Sequence, residues 1–128
     1  MERRYLLDAS ALIALIRNEP GAERVKEVLD SSQIHALNLA EVVRKMISKR
    51  MPPAEVRNLL EDLHLTVVEQ LGLEQAYAAG QLAAERRDLG LSLGDAVCLT
   101  AAKAMDMTAI TADRSWSGLG EVQVLMVR

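Results

Sequence analysis

Residues 5–16 read Tyr5-Leu-Leu-Asp8-Ala-Ser10-Ala-Leu-Ile-Ala-Leu-Ile16, so that one acid separates two apolar runs. The run before Asp8 is short and fits a buried strand, whereas the longer run after it is rich in the alanine and leucine that favour a helix. We therefore predict a strand over residues 4–7, a helix over residues 9–17, and Asp8 at their junction. A strand that passes directly into a helix is the repeating unit of α/β proteins with a parallel sheet.

The rest of the chain continues this alternation. Further strands are predicted at residues 33–37, 65–68, 108–111 and 122–127. Further helices are predicted over residues 38–49, 73–88 and 92–105, with two more beginning near Pro20-Gly21 and Pro52-Pro53. We expect a single domain over residues 1–128, folded as a three-layer α/β/α sandwich around a mostly parallel, four- to five-stranded central sheet.

Two details of helix packing follow from the same pattern. In the helix over residues 38–49, one apolar stripe is predicted to face inward. Its members are Leu39, Val42, Val43, Met46 and Ile47. In the helix over residues 73–88, Gly80 is expected to permit close contact with a neighbouring helix.

The bulk composition is that of an ordinary globular chain, with 50% hydrophobic residues, 26% charged residues and a formal net charge of −3. This charge gives no general attraction to nucleic acid, so any such role must depend on a local basic patch or on bound metal. A lone cysteine, Cys98, cannot form an internal disulfide, which favours a cytoplasmic setting. Asp8 interrupts the apolar segment near the N-terminus, and we expect neither a secretion signal nor a membrane span.

Four acids occupy the junctions of the alternating pattern. Asp8 and Asp113 each follow a predicted strand, and Glu41 lies in the predicted first turn of the helix after the second strand. Because ligands of open parallel sheets bind beyond the carboxyl ends of the strands, these three side chains are expected to converge. Asp95 lies in the first turn of a helix that follows a loop, so topology alone does not bring it to the same edge.

Clustered carboxylates repel one another, and a hard cation such as Mg²⁺ or Mn²⁺ would offset that cost. A cation of this kind can clamp a phosphate and activate a water, which indicates phosphodiester hydrolysis. Helix capping is the alternative explanation. Asn38-x-x-Glu41 and Ser92-x-x-Asp95 resemble capping boxes, and Asp8 and Asp113 have positions typical of N-caps. The two explanations are compatible, because a capping carboxylate can still face the crevice.

Four segments in order carry a resemblance to a known family. They are Tyr5-Leu-Leu-Asp8-Ala-Ser10-Ala-Leu, Leu37-Asn38-Leu-Ala-Glu41-Val, Leu91-Ser-Leu-Gly-Asp95-Ala and Ile110-Thr111-Ala-Asp113-Arg-Ser-Trp116. With them, nearly the whole chain resembles the PIN-domain ribonucleases, and in particular the VapC-type toxins of prokaryotic toxin–antitoxin pairs. The resemblance implies an endoribonuclease that depends on Mg²⁺ or Mn²⁺ and cleaves RNA by metal-activated water.

The resemblance also assigns roles to individual residues. It implies that Asp8, Glu41, Asp95 and Asp113 are catalytic, and that all of these except Glu41 bind the metal. Supporting roles fall on Ser10, Asn38 and Thr111. The family further implies a homodimer and a cognate antitoxin, which commonly blocks the acidic crevice with its C-terminal segment.

Other polar and aromatic residues have two interpretations each. Arg44 and Lys45 follow Glu41 by about one helical turn and could guide RNA phosphates to the site, whereas Lys49 and Arg50 are better explained as a solvated face. Trp116 could stack on a base, but packing is favoured. His35 and His64 lack the spacing of metal ligands.

Three other functions remain possible on sequence grounds. A DNA nuclease of related architecture would be expected to carry more acids and a longer helical insertion. A non-catalytic interaction module would not need all of the acids. A phosphoaspartyl phosphatase commonly has a second Asp two residues after the first, and here that position is Ser10.

Overall fold

A parallel sheet runs through the middle of the molecule, which we describe from a computed structural model of residues 4–117, 119–120 and 122–128. Its strands are β1 (Tyr5–Leu7), β2 (Ser32–His35), β3 (Thr66–Val68), β4 (Thr108–Thr111) and β5 (Val124–Met126). Their order is β3-β2-β1-β4-β5, and every neighbouring pair of these strands is parallel. The predicted α/β sheet is confirmed, with all pairings parallel rather than most of them.

Helices cover both faces of the sheet, as the predicted three-layer arrangement requires. They are α1 (Ala9–Ile16), α2 (Ala22–Val28), α3 (Ala36–Ser48), α4 (Pro53–Asp62), α5 (Leu73–Glu85) and α6 (Leu93–Ala104). Successive strand residues point to opposite faces, so Leu7 packs in the cluster formed with α1 to α4, and Leu6 in the cluster formed with α6. Both side chains are fully buried, and each burial contributes about 1.5–3 kcal/mol to folding.

The start of α3 differs from the prediction. The strand β2 ends at His35 instead of residue 37, because the His35 side chain caps the helix: its Nδ1 accepts a hydrogen bond from the Leu37 N–H at 3.1 Å. The helix therefore begins at Ala36. Asn38 consequently lies inside the helix, and Glu41 lies in its second turn. The predicted Asn38–Glu41 capping box and the placement of Glu41 in the first turn are both wrong.

Helix packing also corrects two details. Ile47 is 39% exposed, so it does not belong to the inner face of α3, whereas Val42 and Met46 are buried there. Gly80 is exposed, and a Cβ added to it would meet no atom of the described residues within 4 Å. The prediction of close helix contact at Gly80 is therefore wrong. The neighbouring Ala79 is buried instead, and together with Leu82 and Ala83 it packs against α6.

Two further elements, α5 and β5, are shorter than predicted. The helix α5 ends at Glu85, and the predicted remainder forms a 3-10 turn, Arg87–Leu89, which closes at Gly90 with a φ of +64°. The strand β5 covers only Val124–Met126 of the predicted residues 122–127. Trp116 is buried, as predicted from packing. Within the described part of the chain, no helix has the length and apolar character needed to cross a membrane.

Candidate active site

A crevice opens at the carboxyl ends of β1 and β4, where the direction of strand addition reverses. From β1 the chain adds β2 and β3 on one side, and then returns to add β4 and β5 on the other. Ligands of open α/β sheets bind at such a switch point. The crevice has a volume of about 670 Å³. Its polar lining residues are Asp8, Ser10, Glu19, Glu41, Arg44, Lys45, Ser48, Asp95, Asp113 and Arg128. All of the predicted acids, including Asp95, therefore line one crevice.

Asp8 is the most buried of these acids, with only 2% of its surface exposed. Its Oδ1 accepts a hydrogen bond from the Ala11 N–H at 2.8 Å, which caps α1 as predicted. The Ser10 hydroxyl lies 2.8 and 2.9 Å from the two carboxylate oxygens, and the Thr111 hydroxyl donates to Oδ2 at 2.6 Å. Burial nevertheless outweighs these hydrogen bonds and raises the pKa of Asp8 from 3.8 to about 6.

The hydroxyls of Ser10 and Thr111 also connect Asp8 to the segment after β4. The Ser10 Oγ accepts a hydrogen bond from the Ala112 N–H, and the Thr111 Oγ1 accepts one from the Asp113 N–H, both at 2.9 Å. The two hydroxyls therefore hold the ends of β1 and β4 together at the crevice. Asp113 itself accepts from the Ser115 N–H at 2.9 Å and caps a 3-10 turn.

Glu41 reaches the crevice through a close contact between α3 and α6. The fully buried Asn38 donates from Nδ2 to Glu41 Oε1 and to the Gly94 carbonyl, each at 3.0 Å. A Cβ added at Gly94 would lie 2.6 Å from Glu41 Cδ, so a larger residue there would displace the Glu41 carboxylate. Asn38 therefore holds Glu41 against Gly94. The supporting role that the resemblance implies for Asn38 stays a prediction. Sequence reasoning missed Gly94, although it directly precedes Asp95 in the quoted segment.

Asp95 forms the predicted capping box with Ser92 at the start of α6. Its N–H donates to Ser92 Oγ at 3.1 Å, and its Oδ2 accepts from the Ser92 N–H at 3.0 Å. Burial raises the pKa of Asp95, and the negative charge of Asp113 adds to the rise. The charge of Asp95 in turn raises the pKa of Asp8. These carboxylates therefore repel one another across the crevice while each also caps a helix or turn.

The oxygen donors of the crevice suit a hard cation that is only partly enclosed by protein. Among residues 4–117, 119–120 and 122–128, no three His, Cys, Asp or Glu side chains are close enough to hold a metal by themselves. Mg²⁺ is usually bound by one or two carboxylates and completes its shell with waters and substrate phosphates. The acids present fit that mode of binding.

The basic side chains of the crevice come from two elements. Arg44 and Lys45 are exposed on α3, line the crevice as predicted, and form no ion pair within the described residues. Sequence reasoning missed Arg128 and Glu19. Arg128 follows the carboxyl end of β5, and the rule that parallel strands end at one edge could have found it. No sequence signal indicates Glu19.

A three-layer α/β/α fold with clustered carboxylates at its switch point suits metal-assisted chemistry on a phosphate. The comparison with family models agrees: the "PIN domain" model matches residues 5–122. The chain therefore belongs to the PIN-domain family, whose members are nucleases. No curated protein matches the chain in sequence.

Solved structures share the fold over nearly the whole chain. A toxin–antitoxin complex from Klebsiella pneumoniae matches with a TM-score of 0.73 and 18% identity, covering 97% of this chain and 98% of that one. A DNA-bound VapBC from Salmonella typhimurium matches with a TM-score of 0.74 and 17% identity, covering 100% of both chains. PAE2754 from Pyrobaculum aerophilum matches with a TM-score of 0.68 and 23% identity, covering 99% and 92%. At these identities the likeness is one of fold.

Proposed function

We propose that this protein is a cytoplasmic endoribonuclease dependent on Mg²⁺ or Mn²⁺, and that it is the toxin of a toxin–antitoxin pair. The observation that carries the proposal is the burial of Asp8 among the other acids of the crevice. Capping α1 does not require a buried acid, since an exposed Asp or a Ser would cap equally well. A carboxylate kept in a site that raises its pKa is more simply explained by a cation that stabilises its charge.

In this proposal the carboxylate oxygens of Asp8, Asp95 and Asp113 would hold the cation, in part through waters of its own shell. The bound cation would neutralise charge on the RNA phosphate and lower the pKa of a nucleophilic water. Glu41 has a different role: Asn38 donates to its Oε1, while Oε2 has no donor within the described residues. That free oxygen can orient the water and accept its proton. Ser10 and Thr111 keep Asp8 in place and fix the backbone before Asp113.

The substrate is held mainly through its phosphates in this proposal. The chain carries a net charge of −3, so RNA must be attracted locally. Arg44 and Lys45, which form no ion pair with the residues that the structure describes, provide positive charge at the crevice. Base stacking has little support, because Trp116 is buried and the exposed Tyr77 does not line the crevice.

We also propose two protein partners, a cognate antitoxin and a second copy of the chain. Toxin–antitoxin and VapBC complexes are among the structures that share the fold. Leu73 and Tyr77 lie one turn apart on α5 and are 71% and 69% exposed, and Leu93 is 64% exposed. Large apolar side chains left in water favour burial against protein. Molar mass in solution, for the chain alone and after coexpression with any small reading frame found next to its gene, tests both partners.

The nuclease activity is tested with labelled RNA in Mg²⁺, in Mn²⁺ and in a chelator. Asp8→Asn is compared with Asp62→Asn, which changes an exposed acid of α4 outside the crevice. We expect wild type and Asp62→Asn to cleave only with the cation. Asp8→Asn should lose at least about 100-fold in rate, because several kcal/mol of charge stabilisation depend on the bound cation.

Three results would contradict the proposal in distinguishable ways. Equal cleavage by Asp8→Asn, or cleavage in chelator, would exclude the metal-dependent site. Preference for DNA in a competition of substrates would indicate a DNA nuclease. Absence of both cleavage and divalent-metal binding in calorimetry would indicate a non-catalytic interaction module.

A further inference from the structure

Arg128 lines the acidic crevice and is held there by oxygens of two chain segments. Its Nε donates to the Ala112 carbonyl at 3.2 Å, and its Nη1 donates to the Pro20 carbonyl at 3.3 Å. The same Nη1 lies 3.5 Å from Glu19 Oε1. The side chain is 34% exposed, so it is fixed by protein on one side and open to solvent on the other.

The anchors of Arg128 belong to the framework that positions the acids. Ala112 directly precedes Asp113, and its N–H donates to Ser10 Oγ at 2.9 Å. Ser10 in turn contacts the Asp8 carboxylate. The guanidinium is therefore fixed relative to the carboxylates on which the proposed reaction depends.

Arg128 keeps donors and positive charge that the protein does not use. A guanidinium has five N–H groups. Nε and Nη1 make the contacts given above, and Nη2 has no partner within the described residues. Glu19 also pairs with Arg17, at 3.4 Å, so one carboxylate faces two guanidiniums and cannot neutralise both. A guanidinium that is held in a fixed orientation and has free N–H groups is well suited to bind a phosphate.

We propose that Arg128 binds a backbone phosphate of the RNA through Nη2 and positions the strand over the acids. This inference rests on the proposed nuclease function and adds a residue outside the family motifs. Arg44 and Lys45 belong to α3, whereas Arg128 follows β5, so the crevice carries cations on two separate elements. Arg128 is a positioning residue, and its effect is expected in RNA binding and KM.

Arg24 provides a matched control. It donates from Nη1 to the Met126 carbonyl at 3.2 Å, so it also fixes the segment that carries Arg128, but it does not line the crevice. Arg128→Gln, Arg128→Lys and Arg24→Gln are compared with wild type. Binding of a fluorescein-labelled single-stranded RNA is measured by anisotropy in chelator, where no cleavage occurs, over a series of salt concentrations.

We expect Arg128→Gln to weaken binding and to reduce the slope of log K against log salt by about 0.7, the value for one phosphate contact on a single strand. Arg128→Lys should restore the slope, because it keeps the charge, while binding less tightly than wild type. Arg24→Gln should match wild type. In steady-state cleavage, Arg128→Gln should raise KM about 5-fold or more with a smaller change in kcat.

An unchanged salt slope in Arg128→Gln, with normal binding by wild type, would overturn this inference and leave the nuclease proposal intact. Equal losses in Arg24→Gln and Arg128→Gln would show that Arg128 only fixes the chain, and would also overturn it. If wild type neither bound nor cleaved RNA, both proposals would fail together. Thermal unfolding identifies any variant that is not folded. If Arg128→Gln is not folded, the salt slope of Arg128→Lys decides whether the inference holds.

Discussion

Replacing Asp8 by Asn should make the metal-free protein more stable while removing its nuclease activity. Asn has the shape of Asp, and its carbonyl oxygen can still accept from the Ala11 N–H and cap α1. Its amide can donate to the hydroxyls of Ser10 and Thr111, which can act as acceptors after rotation. The substitution therefore removes a buried charge and keeps the local hydrogen bonds.

The magnitude follows from the pKa of Asp8. Its value in the folded protein is about 6, against 3.8 for the ordinary carboxyl. The folded state therefore binds more protons than the unfolded state between these values, and wild-type stability falls as pH rises through this interval. Well above pH 6 the ionised carboxylate costs the fold about 3 kcal/mol, at about 1.4 kcal/mol for each pH unit.

Chemical denaturation in a chelator measures this cost at several pH values. The stability difference, Asp8→Asn minus wild type, should increase by between about 1 and 2 kcal/mol from about pH 5 to about pH 8 and then stay level. The comparison across pH cancels any fixed difference in hydrogen bonding between the side chains. Added Mg²⁺ should stabilise wild type and have little effect on the variant. A difference that stays constant over this pH range would refute a buried carboxyl with a raised pKa.

Substitutions at four further positions test the site and the core. Gly94→Ala should lower the cleavage rate at least about 10-fold by displacing Glu41. Gly80→Ala lies in open space, so it should leave cleavage unchanged and keep or raise the melting temperature. Equal cleavage rates for the two variants would contradict the close approach of Glu41 to Gly94. Asn38→Ala should cost about 1–3 kcal/mol in denaturant unfolding, because it leaves buried polar groups unpaired, and a loss near zero would count against its bridging role. Trp116→Ala should lower the free energy of unfolding by about 3–5 kcal/mol because of the cavity it leaves. Trp116 Nε1 has no partner in the described part of the chain, so Trp116→Phe should lower it clearly less. Equal losses for the two variants would argue against packing as the role of Trp116.

Much of the fold could be predicted because local pattern and long-range packing agree. The sequence of residues 5–16 predicts a strand, Asp8 and a helix in that order. The strand order then makes Asp8 and Asp113 neighbours. The start of α3 could not be predicted, because its cap is a histidine side chain rather than one of the residues that usually cap helices. Ile47 and Gly80 were misplaced because periodicity identifies a helix face without showing how far the neighbouring helix covers it.

Part of the candidate site could likewise be predicted from the sequence, and part of it could not. Asp8, Asp95 and Asp113 have sequence positions typical of caps, and each does cap a helix or turn while lining the crevice. The approach of Glu41 to Asp8 and Asp113 was expected from the carboxyl ends of the strands. The location of Asp95 depends instead on the contact between α3 and α6, which no spacing within one helix can show. Arg128 and Glu19 meet from distant parts of the chain, and neither the length of the loops nor their charge indicates that they pair.

The position of β4 between β1 and β5 has a consequence for the order in which the molecule is made. Chains emerge from the ribosome from the N-terminus, so Asp8, Glu41 and Asp95 are available before Thr108–Thr111 can join the sheet. Until then the Asp8 carboxylate lacks the Thr111 hydroxyl, and the crevice lacks Asp113. A nascent chain therefore contains Asp8, Glu41 and Asp95 before the crevice is assembled. The proposed nuclease activity would therefore depend on the late addition of β4 to the sheet.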